Sequence, residues 1–147
     1  MRAHQRSETS TRPLCPSAPS HWRDAEAFGV VAGTVSDPRV SYLERTVPVS
    51  KELLALAAPA SPTEVFRFAA PCACDACGHY QDSRCHLVEK VVQELPAVVE
   101  ELPVCMIRHG CRWFGQEGAA ACFRCPMVVT DSPPLDQRMV KVTDLSR

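Results

Sequence analysis

The sequence predicts an α+β fold: a small, irregular, cysteine-rich domain with short strands in the first half and a central helical pair in the second. Three observations lead there. Runs rich in β-branched residues and glycine lie before residue 70, an apolar stripe with helical spacing lies after residue 85, and eight of nine cysteines fall between Pro71 and Pro126. Aromatic residues make up 6% of the 147 residues and prolines number 13, a thin supply of large core side chains. A chain of this length builds one modest core, and one so poor in aromatics benefits from a staple, metal or disulfide.

The elements are expected in this order. Residues 1–20 are polar and proline-bearing and read as a disordered arm, with Cys15 a spare exposed thiol and His4 and His21 solvated. Residues 21–70 read as a β-rich segment with one short helix. Phe28–Val35 has strand composition, Ser36-Asp37-Pro38 signals a turn, and Val40–Leu43 and Thr46–Val49 form two short strands, Pro48 pushing the second to an edge. Ser50 caps a helix from Lys51 to Ala58 that Pro59 ends. Glu64–Ala69 alternates as a strand and runs into the cysteines.

In residues 71–130, His86–Leu95 places apolar side chains at 87, 88, 91, 92 and 95, one face of a helix. Pro96 breaks it, and Ala97–Leu102 continues the pattern as a short second helix closed by Pro103. Residues 131–147 form a tail, with Met139–Val142 as an edge strand.

The cysteines carry the chemistry. Cys72, Cys74, Cys77 and Cys85 read C-x-C-x2-C-x7-C; Cys105, Cys111, Cys122 and Cys125 read C-x5-C-x10-C-x2-C. No apolar run has the length of a signal peptide or a membrane span, so the expected compartment is the cytoplasm. Thiols stay reduced there, and a dense set binds metal more often than it forms disulfides. Four thiolates suit tetrahedral zinc or an iron–sulfur cluster, [2Fe–2S] or [4Fe–4S], and spacing alone does not choose between the metals. The Cys125-Pro126 ending favours iron–sulfur. Two four-cysteine sites are expected; a single joint site, with Cys72, Cys77 or Cys85 completing the second group, is the alternative.

Around the groups, Arg108, Arg112 and Arg124 crowd the second and read either as offsetting thiolate charge or as ordinary solvated arginines. His109 would hydrogen-bond to a ligand there. His79 and His86 read as surface or hydrogen-bonded residues rather than ligands, and Trp113 and Phe114 as shielding.

The stretch Cys111–Pro126, CRWFGQEGAAACFRCP, resembles the C-terminal motif of the ferric siderophore reductases, which ends C-x10-C-x2-C-P. Cys111, Cys122, Cys125 and Pro126 match it. The resemblance implies a [2Fe–2S] ligand set. It departs at Gly110, where that family has a cysteine, so Cys105 would have to take its place. The chain is too short for the whole reductase, and ferric reductase activity is not implied. More broadly, TEVFRFAAPC, ELPAVVEELPVC, IRHGCRWFGQEG and CFRCPMVVTD look like small cysteine-rich bacterial proteins loosely labelled nitrogen fixation proteins. That likeness implies association with iron–sulfur or nitrogenase biology.

With 16 basic and 17 acidic residues, net charge −1, bulk charge gives no support for nucleic-acid or membrane-surface binding. No nucleophile–base pair and no phosphate-cradling loop is present, so a stand-alone enzyme is not the reading. The expected function is an iron–sulfur protein that transfers electrons to a redox partner protein or senses redox state. The alternatives are a structural zinc module for protein interaction and a thiol–disulfide switch built on the two C-x2-C pairs.

Overall fold

A computed structural model describes residues 12–34 and 36–128. The chain is α+β, with a four-stranded antiparallel sheet of order β1-β4-β2-β3. The strands are β1 (Leu14–Cys15), β2 (Glu26–Gly33), β3 (Pro38–Pro48) and β4 (Phe66–Pro71). β2 and β3 form a hairpin closed at Gly33. There φ is +78°, and a Cβ would run into the Asp37 carbonyl, so glycine is required on both counts. A register shift between Ala27 and Gly29 bends β2 against both neighbours.

The two short strands expected over residues 40–49 lie within one eleven-residue strand, whose residues 38–42 and 47–48 pair with β2 on either side of a register shift. Pro48 does end it, and β3 is an edge. Helix α1 (Lys51–Ala55) is capped as expected by Ser50, whose hydroxyl accepts the Leu53 amide at 3.1 Å. A single turn, α2 (Pro62–Val65), precedes β4, so Glu64 and Val65 are helical rather than extended: Pro62 presets the helical φ of a first turn.

Pleating sorts β4 onto two faces. Phe66 and Phe68 pack with Ala27, Leu53 and Ala57. Ala69 faces the other way, with Phe28 and Ile107. Both faces are covered, which explains five consecutive buried residues.

A tiny hairpin of β5 (Tyr80–Gln81) and β6 (Arg84–Cys85) leads into α3 (His86–Glu94). Its expected apolar face is the buried one: Leu87, Val88 and Val91, joined by Leu95, pack on Trp113, Ala121 and Cys125. Burying each such aliphatic contributes about 1.5–3 kcal/mol. The second helix expected over Ala97–Leu102 is absent. Six residues between two prolines cannot nucleate a stable helix by themselves, and the Val98 amide instead donates to Phe123 O at 2.8 Å.

Helices α4 (Arg112–Glu117) and α5 (Ala119–Cys122) follow instead, parted by Gly118 at φ +71° and ψ −154°. A Cβ at Gly118 would meet nothing, so backbone conformation alone demands glycine there. The strand expected at Met139–Val142 lies outside the described residues.

Candidate metal centre

The structure gathers the eight cysteines of residues 71–126 into two neighbourhoods and adds a ninth. Cys105, Cys111, Cys122 and Cys125 all line one pocket of about 360 Å³, counting the part open to solvent. Phe28 and Tyr42 of the sheet wall one side of it, and Trp113, Phe114 and Ala121 of the helices the other. Among the described residues, no carboxylate lines it. Each thiol arrives on a different local device. Cys111 is the N-cap of α4, Cys122 ends α5, and Cys125 opens a 3-10 turn with Pro126. Cys105 lies on an extended segment that alternates. Pro103, Cys105 and Ile107 point into the pocket, while Leu102, Val104 and Met106 face solvent, Val104 at 75% exposure.

Burial pushes the thiols of Cys105, Cys111 and Cys122 up. Cys111 rises from 9.0 to about 12, opposed by the amides of Phe114 and Trp113 at the start of α4. Cys105 is raised chiefly by burial against the pull of the Ile107 amide. Cys122 is raised by burial too, while a hydrogen bond from the Arg108 side chain draws it down. Tyr42 is raised by burial and then by the charge of Cys125.

The strongest feature was not legible in the spacing. Arg67, on β4, is 3% exposed. Its guanidinium donates to Cys125 O at 2.6 Å, to Pro16 O at 2.9 Å and to Cys125 Sγ at 3.2 Å, and lies 5.6 Å over the Phe28 ring. No carboxylate among the described residues pairs with it. Arg67 sits thirty-eight residues before the nearest cysteine of this group, inside a strand pattern, with only a charge at a core position as a signal.

The arginines near the motif divide differently from expectation. Arg108 serves Cys122, bonds the Pro103 carbonyl and stacks on Phe114. Arg112 turns away to the first group, 3.9 Å from Cys74 Sγ and over the Tyr80 ring. Arg124 bonds the Leu95 and Ala120 carbonyls at 2.7 and 2.8 Å, closing helix ends rather than facing thiols. His109 is exposed on its 3-10 turn, and Arg108 lines the pocket in its stead.

The first group lies where β4 leaves the sheet. The Cys74 amide points at Cys72 Sγ and the His79 amide at Cys77 Sγ, each at 3.4 Å. Cys85 is fixed by Gln116, whose side chain accepts from its amide and donates to its carbonyl, both at 2.9 Å. Burial raises Cys85, and the charges of Cys77 and Cys72 add to the rise. Burial likewise raises Cys74, with Cys72 adding and Arg112 opposing. His86 is engaged by Glu89 at 2.9 Å and by the Gln81 carbonyl at 3.2 Å.

Cys15 departs from the arm expected to hold it. It is half-buried in β1, paired with Ala70. It rises from 9.0 to about 12 through burial, with the charges of Cys85, Cys72 and Cys77 contributing. It is a fifth thiol of the first neighbourhood.

All nine cysteines are free thiols. Among the described residues, no group of three or more His, Cys, Asp or Glu side chains is drawn in tightly enough to hold a single metal ion. The donor set is informative beside that. Five buried side-chain polar atoms among the described residues lack a hydrogen-bond partner, and four are N–H donors at the cysteines: Arg67 Nε, Arg108 Nε, Arg112 Nε and Trp113 Nε1. Buried donors are rarely left orphaned. A thiol-lined pocket with excess N–H donors and no carboxylate fits a negatively charged, acceptor-rich occupant, such as a thiolate-bound cluster.

Comparison with family models, characterised proteins and solved structures gives no match for this chain. No helix among the described residues is long and apolar enough to cross a membrane.

Proposed function

We propose that the chain is an iron–sulfur protein that passes single electrons to a partner protein, with its principal centre in the pocket of Cys105, Cys111, Cys122 and Cys125. The observation that carries this reading is Arg67. Arginine stays charged in proteins, and a buried cation without an anion costs several kcal/mol. Here its side-chain partner is the sulfur of Cys125. A thiolate-bound centre supplies the missing negative charge, and it offers acceptors to Arg108 Nε and Trp113 Nε1, which also line the pocket or its wall.

A cluster held by these four thiols supplies one-electron chemistry. The protein's own part is positioning, charge and shielding. Phe28, Ile107 and Trp113 keep water from the thiols. Arg67 and Arg108 offset negative charge at Cys125 and Cys122. In the segment 102–106, Leu102, Val104 and Met106 are exposed beside the pocket-lining Cys105, so a partner seated on them comes close to the centre. Short distance and an apolar contact suit transient electron exchange.

The test is anaerobic purification, followed by reconstitution with iron and sulfide. The expected product is brown, with iron and acid-labile sulfide in equal amounts and a paramagnetic signal in one redox state. Cys122→Ser and Cys125→Ser each remove the pocket's centre. Colourless protein with stoichiometric zinc, or an iron and sulfide content that neither substitution lowers, overturns the reading.

A further inference from the structure

The first group holds a pair of thiols that its C-x2-C spacing does not single out. We infer that Cys72 and Cys74 form a redox-active dithiol, which takes a small-molecule disulfide as its oxidant and closes to a Cys72–Cys74 bridge. No thiol of the pocket takes part, so the inference is independent of the iron–sulfur reading.

The backbone carries it. A disulfide needs its two Cα atoms within about 7 Å of each other. Two residues of extended chain already span up to about 7 Å, so an extended C-x-C sits at the limit. Here β4 ends at Pro71, and Ala73 has φ −73° and ψ −11°, helical values that shorten the span. Cys74 follows at φ +51°, a conformation that a non-glycine residue adopts only when held. The chain thereby curls back on Cys72. The Cys74 amide lies 3.4 Å from Cys72 Sγ, and the two thiols are hydrogen-bonded to each other. Cys72 itself is anchored: its amide donates to Pro13 O at 2.8 Å, and its carbonyl accepts from Arg12 at 3.4 Å. The spacing pairs Cys74 with Cys77 instead. Cys77, however, lies past a 3-10 turn in extended backbone, and its sulfur accepts from the His79 amide at 3.4 Å.

Arg112 of α4 lies over the pair. Its Nη2 is 3.9 Å from Cys74 Sγ, the guanidinium also bonds the Cys72 side chain, and its Nε is buried without a partner. A guanidinium there offsets the charge of a reacting thiolate. Cys72 is buried and Cys74 half-buried, so an incoming disulfide reaches Cys74 first. The Cys74 thiolate attacks one sulfur of the small disulfide. That S–S bond breaks, a mixed disulfide forms on Cys74, and one small thiolate leaves and takes up a proton. Cys72, deprotonated in turn, attacks Cys74 Sγ. The Cys72–Cys74 bond forms and the second small thiol leaves. The protein gives up two electrons and two protons, and the disulfide is reduced to two thiols. Burial raises Cys74, so the exchange is slow at neutral pH and quickens in alkali.

The test incubates the full chain, purified anaerobically, with oxidised glutathione and no denaturant. Remaining thiols are blocked with N-ethylmaleimide, the protein is reduced, and the released thiols are labelled with iodoacetamide and located by fragment mass spectra. Cys72 and Cys74 are expected to carry the iodoacetamide label together, and Cys77 the N-ethylmaleimide. Cys77→Ser should keep the paired label. Cys72→Ser should stop at glutathione held on Cys74, with Cys72→Ala used if the serine variant misfolds by circular dichroism. A bridge from Cys74 to Cys77, loss of the paired label in Cys77→Ser, or N-ethylmaleimide on both Cys72 and Cys74 overturns the inference. So does a paired label that appears only in urea.

Discussion

The two cysteine groups share a C-x2-C pair but are built in opposite ways. The second is set inside the fold, between the sheet face of Phe28 and Tyr42 and the helices that carry Trp113 and Ala121. Its Cys125 is buried and held by a strand residue from far away in sequence. The first sits at the end of β4 and on a loop with three non-glycine residues at positive φ, Cys74, Asp82 and Ser83. Burial of the sulfur-bearing residues does not separate the groups: Cys72 and Cys85 are buried and Cys74 and Cys77 half-buried, against a buried Cys125 and half-buried Cys105, Cys111 and Cys122. Packing positions the second group and local backbone geometry positions the first. The second should therefore be sensitive to core substitutions, and the first to the few contacts that tie its loop down.

Arg67→Met gives the largest expected effect. It strips the donor from two buried carbonyls and the Cys125 sulfur, so urea denaturation should show a loss of about 1–3 kcal/mol. Arg67→Lys should recover only part, because an ammonium cannot reproduce the planar fork. A loss within error for the methionine variant would erase the distinction between the groups.

Gln116→Ala tests the first group's tether. It removes both bonds to the Cys85 backbone and should cost about 1–3 kcal/mol in the same experiment. The thiols of the first group should alkylate faster while the pocket's centre survives. Equal damage to both would mean that α4 transmits the change and that the groups are not independent.

Alkali provides a third comparison, with one thiol from each group. Cys15 and Cys111 are each raised from 9.0 to about 12 on folding. Below pH 9 both stay protonated in the folded and unfolded chain, and their contribution to stability is fully present. As pH rises from about 9 toward 12 only the unfolded chain loses these protons, so metal-free protein should lose stability across that window. Cys15→Ala and Cys111→Ala should each flatten part of the fall in a pH series of denaturation midpoints.

The smallest effect belongs to Arg84→Ala. Its ion pairs with Glu89 at 2.7 Å and Glu117 at 3.2 Å link α3 to α4, but Arg84 is half exposed. Less than about 1 kcal/mol should be lost, and added salt should shrink the difference. The Glu89 carboxyl, held below its usual range chiefly by the Arg84 hydrogen bond, should move back up.

Much of this molecule follows from local rules that act within a few residues. The α+β class, the Ser50 cap, the buried stripe of α3 and the edge position of β3 were all readable from side-chain period and turn chemistry. The spacing of Cys105, Cys111, Cys122 and Cys125 singled out four residues that do share one pocket. Other features depend on contacts between segments far apart in sequence. The pattern of Ala97–Leu102 suits a helix, yet the segment forms none and its Val98 amide donates to Phe123 O instead. Cys15 looked like a stray thiol in a polar arm, and only the pairing of β1 with β4 brings it to the first group. Arg112 lies next to Cys111, but the α4 helix aims it at Cys74. Arg67 looked like the polar position of an alternating strand. Its burial is decided by a second layer, residues 105–125, closing over that face of the sheet. Periodicity tells which residues share a face, and only tertiary packing determines what covers it.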